Sequence, residues 1–166
     1  MAAEPMDFAA FYASAKDDCF RAVLASTGGD RHAAEDLVAE AFARAWASWR
    51  KVSRHPQPRA WVVRTALNTR VSWWRRQRRE VALGPADGAS LAGPDASPVD
   101  HELLTAVLRL PARQREVVAL RLFLDLDTAR TAEVLGIAPG TVTAHMTRAL
   151  AALREEFIPA QRQERP

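Results

Sequence analysis

The sequence lacks several features that mark common classes of protein. It has a single cysteine, Cys19, so no internal disulfide can form and no cysteine cluster is available for a metal. No apolar run approaches the length of a membrane span, and the N-terminal residues show no basic segment followed by an apolar one. We therefore expect a cytoplasmic protein without membrane insertion.

Signatures of enzymes are also missing. The four histidines are scattered, no His/Glu pair falls at ligand spacing on one predicted helix, and there is no phosphate-binding loop. These absences argue against a small helical hydrolase or metalloprotein, which is the alternative from the enzyme class. We expect no catalysis, no cofactor and no metal site.

The spacing of apolar residues predicts an all-α fold. The first half of the chain has no alternating run typical of a strand, and its apolar side chains recur at helical intervals. Residues 81–100 consist mainly of Gly, Pro, Ala, Ser and Asp, a composition typical of linkers. The sequence therefore predicts two small helical domains, 1–80 and 101–158, with a flexible linker over 81–100 and a tail over 159–166.

A basic helix occupies the middle of the chain. Residues 50–80 hold ten basic and one acidic side chain, although the whole chain carries a net charge of only +3. On a helix over 61–80, the predicted apolar stripe comprises Val63, Leu67, Val71 and Trp74. The neighbouring face carries arginines, an amide and aromatic rings, which is the chemistry that holds phosphates and contacts bases. This localised positive field indicates a polyanionic partner, and a solvated basic surface is the alternative.

Residues 128–157 have the spacing of a helix-turn-helix. Ala132 is small where two helices cross closely, and Gly136 lies four residues later, at a turn that favours positive φ. Pro139 suits the first position of the second helix, and Val142 points back to the first helix. The spacing predicts a DNA-binding module, and an ordinary helical hairpin is the alternative.

The second helix of this module would lie in the major groove. Its outward positions are Thr141, Thr143, Ala144, His145, Thr147 and Arg148. Arg148 suits a guanine or a phosphate, and the hydroxyls suit base edges or backbone. On the helix that precedes the helix-turn-helix, Arg113 and Arg115 are candidates for holding the DNA backbone.

Taken in order, these motifs resemble a two-domain alternative sigma factor of bacterial RNA polymerase, from the extracytoplasmic-function (ECF) group of the sigma-70 family. AEDLVAEAFARAW at 34–46 is similar to the family's core-polymerase-binding helix. LPARQREVVALR at 110–121, with the helix-turn-helix, is similar to its upstream-element domain, a helix-turn-helix of the winged-helix-like, region 4 type. SWWRR at 72–76 resembles an actinobacterial, sigma-E-like branch. The resemblance implies region 2 at 1–80 and region 4 at 101–158.

The resemblance also implies a mechanism and its residues. Such a factor binds the clamp and flap of core polymerase, recognises and melts promoter DNA, and leaves the chemistry to the polymerase. The implied polymerase contacts are Asp36, Leu37, Glu40, Phe42 and Trp46. The implied contacts with the melted strand of the downstream element are His55, Trp61, Arg64, Asn68, Ser72, Arg75, Arg76 and Arg79, with Asn68 as the base contact. The implied contacts with the upstream element are Arg113, Arg115, Thr141, Thr143, His145, Thr147 and Arg148. The family also suggests an anti-sigma factor as a further partner.

A free-standing helix-turn-helix regulator is the second hypothesis for this sequence. It accounts for residues 101–157 but leaves the basic helix and the AEDL helix without a role. The chain also departs from the family pattern, since Ala138 replaces a usual capping hydroxyl, and Thr143 and Ala144 stand where a basic residue and Ser are common. These departures leave the promoter sequence unpredicted.

Overall fold

The computed structural model describes residues 7–80 and 98–158, and within these ranges it leaves out the side chains of 74–80 and 98–100. This part of the chain forms eight helices and no strand, which confirms the predicted all-α fold. The helices are α1 Phe8–Ser26, α2 Arg31–Ala47, α3 Trp49–Val52, α4 Pro58–Glu80, α5 Pro98–Leu108, α6 Ala112–Phe123, α7 Thr128–Leu135 and α8 Pro139–Phe157. None of them is long and apolar enough to cross a membrane. The predicted tail at 159–166 and most of the predicted linker lie outside the described residues, while α5 already begins within the segment predicted as linker.

The turn between α1 and α2 follows from its local sequence. Gly28 and Gly29 both have positive φ, at 73° and 89°, a conformation that glycine adopts without a steric penalty. Asp30 then caps α2, because its carboxylate accepts a hydrogen bond from the amide of Ala33 at 3.0 Å. These residues end α1 at Ser26 and allow α2 to begin at Arg31.

The basic helix α4 begins at Pro58, three residues before its predicted start. Proline suits the first helical turn, where an amide hydrogen would have no intrahelical partner. The short helix α3 lies between α2 and α4.

The buried face of α4 differs from the predicted stripe. Val62, Val63 and Ala66 are fully buried, whereas Val71 is 50% exposed. The observed face is rotated by about one residue position, roughly 100°. Thr69 belongs to it because its hydroxyl donates to the carbonyl of Thr65 at 2.9 Å, which satisfies the polar group within the helix. A stripe drawn from large apolar side chains alone therefore missed a face built from small ones.

The two modules share one core. Helix α1 contacts α2 and α4 of the first module and α6 of the second, and most of the buried side chains form one cluster that runs from Phe11 to Leu153. Two arginines meet the C-terminal end of α1, where helix carbonyls favour positive charge. Arg70 of α4 donates to the carbonyl of Ser26 at 2.5 Å, and the guanidinium of Arg115 on α6 lies beside Gly28. Burial, followed by the charge of Arg70, lowers the pKa of Arg115.

The predicted helix-turn-helix is present in the second module. Gly136 follows α7 in the left-handed conformation, with φ 65° and ψ 36°. Ala132 and Val142 are buried together with Val117, and this small cluster fixes α7 against α8 and α6. The carboxylate of Asp127 caps α7 by accepting from the amide of Arg130 at 2.8 Å. The N-cap of α8 is Ala138, which has no side-chain acceptor, as the departure from the family pattern implied.

Candidate nucleic-acid interface

A groove between α2 and α4 is the main feature of the first module. It contains two adjacent cavities, of about 310 and 400 Å³, and Asn68 lines both. The smaller cavity is also lined by Glu40, Arg44, Thr69, Ser72 and Trp73. The larger is also lined by Arg44, Ala47, Ser48, Trp61 and Thr65. These volumes fall at the lower end of the ~300–1,000 Å³ range of small-ligand sites.

The larger cavity combines an aromatic wall with an amide. Trp61 is half-buried and packs against the core, which fixes its indole in place. Asn68 is exposed, so its amide is open to a partner that enters the groove. An aromatic surface for stacking beside an amide for hydrogen bonding is what an unstacked base requires.

The other residues predicted for the melted strand are exposed where the structure describes them. Arg64 and Ser72 lie on the solvent side of α4. His55 lies in the loop before α4, and its Nδ1 accepts from the amide of Gln57 at 3.0 Å. The helical backbone of α4 continues through residues 75, 76 and 79, but the side chains of Arg75, Arg76 and Arg79 lie outside the described part.

The predicted upstream-element residues on α8 form an exposed surface. Thr141, Thr143, Thr147 and Arg148 are exposed, and His145 is half-buried. The hydroxyl of Thr143 donates to the carbonyl of Pro139 at 3.2 Å, and that of Thr147 donates to the carbonyl of Thr143 at 2.9 Å. These hydroxyls keep acceptor lone pairs for a partner, since each uses its hydrogen within the helix.

The two arginines predicted beside this surface differ in position. Arg113 is exposed, and its guanidinium lies 2.9 Å from the carboxylate of Glu116. Arg115 is half-buried and donates to the carbonyl of Leu110 at 3.1 Å, so it holds the turn between α5 and α6. Arg115 is thus engaged within the protein, whereas Arg113 faces solvent.

A third cavity, of about 450 Å³, lies between the modules and is also lined by Asn68. Leu67, Arg70 and Val71 of α4 share it with Arg113, Glu116, Val134 and Leu135 of the second module. The structure therefore brings a residue predicted for the downstream element and one predicted for the upstream element to a single cavity.

The five predicted polymerase contacts divide between surface and core. Asp36 is exposed, and Trp46 is 65% exposed. Leu37 and Phe42 are 0% and 4% exposed, so they are core residues that cannot meet a partner directly. Phe42 packs against Tyr12, with ring centroids 4.9 Å apart, and supports the surface from inside. Glu40 is half-buried and faces the groove between α2 and α4.

Trp46 belongs to an aromatic patch that it forms with Phe8 and Tyr12. The ring centroids of Trp46 and Phe8 lie 4.9 Å apart in an edge-to-face arrangement, and Phe8 lies 6.3 Å from Tyr12. Tyr12 is 44% exposed, so the patch presents two aromatic side chains to solvent. Exposed aromatic groups of this kind are typical of protein–protein interfaces.

Among the charged residues of the groove, Arg44 was not predicted from the sequence. It lies four residues after Glu40 on α2 and lines both cavities that contain Asn68. The i, i+4 spacing of a glutamate and an arginine was the available signal, but such pairs occur on many solvated helix faces. Elsewhere in the described ranges, no group of three or more His, Cys, Asp or Glu side chains is placed to hold a metal ion.

Two family models match the chain. The model for sigma-70 region 2 matches residues 19–80, and the model for sigma-70, region 4 matches residues 100–153. The RNA polymerase sigma-E factor of Streptomyces coelicolor is 36% identical over 127 residues, which is 75% of this chain and 72% of that protein. The ECF RNA polymerase sigma factor SigL of Mycobacterium tuberculosis is 32% identical over 133 residues, covering 76% of this chain and 75% of the relative.

Solved structures agree with the sequence relatives. The sigma factor RpoE of Bartonella quintana, in complex with the anti-sigma factor NepR, is similar with a TM-score of 0.64 and 25% identity. That match covers 92% of this chain and 98% of the other. CnrH, in complex with the cytosolic domain of CnrY, shares the fold with a TM-score of 0.58 and 21% identity over 92% of this chain and 88% of the other.

The fold and the two family matches define a helical, DNA-binding transcription factor. The region 2 match contains the groove residues of α4, and the region 4 match follows it along the chain and contains the turn of the helix-turn-helix. The chain belongs to the ECF group of the sigma-70 family of RNA polymerase sigma factors. It is an alternative sigma factor that directs promoter recognition and transcription initiation, and not a free-standing regulator. Sigma factors are non-enzymatic, so the protein is not an enzyme.

Proposed function

We propose that the groove between α2 and α4 holds the melted non-template strand of the downstream promoter element. The carrying observation is the position of Asn68, which is exposed and lines both cavities of the groove. Opening the duplex and extruding a base costs a few kcal/mol, and stacking on Trp61 with a hydrogen bond to Asn68 offsets that cost. Arg64 and Ser72 contact the strand beside the base, with Arg75, Arg76 and Arg79 further along α4 and His55 at the loop.

The second part of the proposal assigns a separate role to each module. Residues 1–80 act as region 2 on the polymerase clamp, and residues 101–158 act as region 4 on the flap and the upstream element, joined by the linker at 81–100. The contacts with the upstream element are Arg113, Thr141, Thr143, His145, Thr147 and Arg148. Arg115 serves the structure of the second module, because its guanidinium already donates to a backbone carbonyl.

The clamp-binding surface is centred on Trp46 and Asp36. Support comes from their exposure and from the aromatic patch around Trp46, which offers apolar area to a partner. Leu37 and Phe42 hold α2 in place beneath that surface.

An anti-sigma factor is a further proposed partner, and the cytoplasm is the proposed location. Support comes from the similar Bartonella quintana sigma factor, whose solved structure contains an anti-sigma factor. The cytoplasm follows from the polymerase that this family serves.

The test uses core polymerase reconstituted with the full chain. Run-off transcription on genomic fragments first identifies a promoter that the holoenzyme initiates. Asn68→Ala is then compared with wild type for binding to core, for binding to duplex promoter and for opening of that promoter, with Asp17→Ala on the exposed side of α1 as the control. We expect Asn68→Ala to reduce opening about tenfold or more, with duplex binding and core binding close to wild type.

Two results would contradict the proposal. Failure of the wild-type protein to bind core polymerase stoichiometrically contradicts the clamp and flap assignments. Full opening by Asn68→Ala contradicts the role of the groove.

A further inference from the structure

We propose that Arg44 of α2 is a further DNA-contacting residue, which holds a backbone phosphate of the melted strand on the side of the groove opposite Asn68. Glu40 is the positioning residue for Arg44. This inference rests on the proposed function of the groove and gives a role to the residues that α2 contributes to it.

The position of Arg44 carries the argument. Arg44 and Asn68 are on different helices, α2 and α4, yet the two side chains line the same two cavities. The side chain of Arg44 is 55% exposed, so its guanidinium lies at the rim of the groove. A base that enters between Trp61 and Asn68 leaves its phosphates outside the cavity, at the level of that rim. A guanidinium at this rim can reach a phosphate of the strand. Guanidinium groups bind phosphates through their charge and through two parallel hydrogen bonds.

Glu40 fixes the direction of this guanidinium. Its carboxylate accepts a hydrogen bond from Nη2 of Arg44, one helical turn away on the same face. Glu40 also lines the smaller cavity, which places the ion pair on the groove side of α2. An exposed pair of this type contributes little to stability, so its main effect is to orient the arginine. The guanidinium has five N–H donors, and the pair leaves others for a phosphate.

The resemblance to the family implies a different role for Glu40, as a polymerase contact. The two roles predict different results. If Glu40 meets the clamp, its substitution weakens core binding whatever residue occupies position 44. If it positions Arg44, its substitution weakens DNA binding only while the arginine is present.

The experiment uses the holoenzyme and a pre-melted version of the promoter that the wild-type protein opens. The variants are Arg44→Ala, Glu40→Gln and the double variant. Arg31→Ala is the control, since it removes one positive charge from the same helix, about 20 Å away along the axis. Arg31 has its own i, i+4 partner, Glu35, at 2.9 Å, so the two ion pairs are comparable. Thermal unfolding of each variant checks that the fold is retained.

We expect Arg44→Ala to weaken binding of the pre-melted promoter roughly three- to tenfold, with core binding unchanged. It should also lower the slope of log K against log salt by about 0.7, which is the value for one phosphate contact on a single strand. Arg44→Lys should keep most of the salt slope, because lysine still binds phosphate as a point charge. Glu40→Gln should weaken DNA binding less than Arg44→Ala and should add nothing in the double variant.

Several outcomes separate this inference from the function on which it rests. If Asn68→Ala impairs opening while Arg44→Ala behaves like Arg31→Ala, the proposed function of the groove is retained and the role of Arg44 is refuted. A loss with an unchanged salt slope, and no rescue by lysine, overturns the phosphate contact. Weakened core binding by Glu40→Gln overturns the positioning role. If Asn68→Ala opens the promoter normally, the proposed function itself has failed.

Discussion

Two glycines in the helix-turn-helix give a prediction in which the same chemical change has opposite effects. Gly136 lies in the left-handed region, with φ 65°, whereas Gly140 lies in the first turn of α8. A Cβ built at either position meets nothing within 4 Å. The added methyl group therefore causes no steric clash at either site, and the backbone conformation alone decides how alanine changes the stability.

The magnitudes follow from the backbone terms. A left-handed conformation costs an L-residue about 1–2 kcal/mol, and replacing glycine recovers about 0.4–1 kcal/mol by restricting the unfolded chain. Gly136→Ala should thus lower the free energy of unfolding by about 1 kcal/mol. Gly140→Ala should raise it by a few tenths to about 1 kcal/mol, because alanine favours the helix over glycine.

Denaturation in urea measures both effects. The midpoint should move in opposite directions for the two variants, and the slope m should stay constant if only stability changes. Because Gly136 sets the path of the chain into α8, Gly136→Ala should also weaken binding to the upstream element, while Gly140→Ala should leave the turn unchanged. Shifts of the same sign for both variants, or a neutral Gly136→Ala, would refute the reasoning.

Three further predictions concern caps, a buried thiol and the aromatic patch. Asp127→Ala removes a side-chain cap and should cost about 1 kcal/mol in urea denaturation, whereas Asp7→Ala, at an N-cap without a side-chain hydrogen bond, should be nearly neutral. Burial raises the pKa of Cys19 from 9.0 to about 12, so the thiol's contribution to stability is complete below about pH 9 and is lost as the pH rises towards 12. Urea midpoints across that range should fall more steeply for wild type than for Cys19→Ala, and equal slopes would contradict the assignment. Trp46→Ala should weaken binding to core polymerase at least fivefold with a small change in melting temperature, since the ring is 65% exposed; unchanged affinity would remove the aromatic patch from the interface.

Local signals in the sequence predicted much of the fold. Gly136 and Pro139 each act within a few residues, and the structure confirms the turn and the helix start that they predict. The cluster of Ala132 with Val142 is likewise a matter of spacing along two adjacent helices.

Features that depend on distant packing could not be predicted in this way. Phe42 and Trp46 are one turn apart on α2 and both are large and aromatic, but α1 buries Phe42, whereas Trp46 stays 65% exposed although it contacts Phe8. The buried face of α4 depends on small residues such as Ala66, whose burial is decided by the neighbouring helices. Arg44 joined the candidate site only because the packing of α2 on α4 places it across from Asn68.

The core that α1 shares between the modules has a consequence for the affinity of promoter DNA. Asn68 and Arg113 line one cavity, yet the promoter elements that they are proposed to contact lie apart along the duplex. If the two modules contact these elements as proposed, DNA that engages both must select a population of molecules in which the modules have separated. The observed affinity is the intrinsic affinity multiplied by the fraction in that population. By the same linkage, we expect a substitution that loosens α1 from α6 to strengthen promoter binding although it touches no DNA.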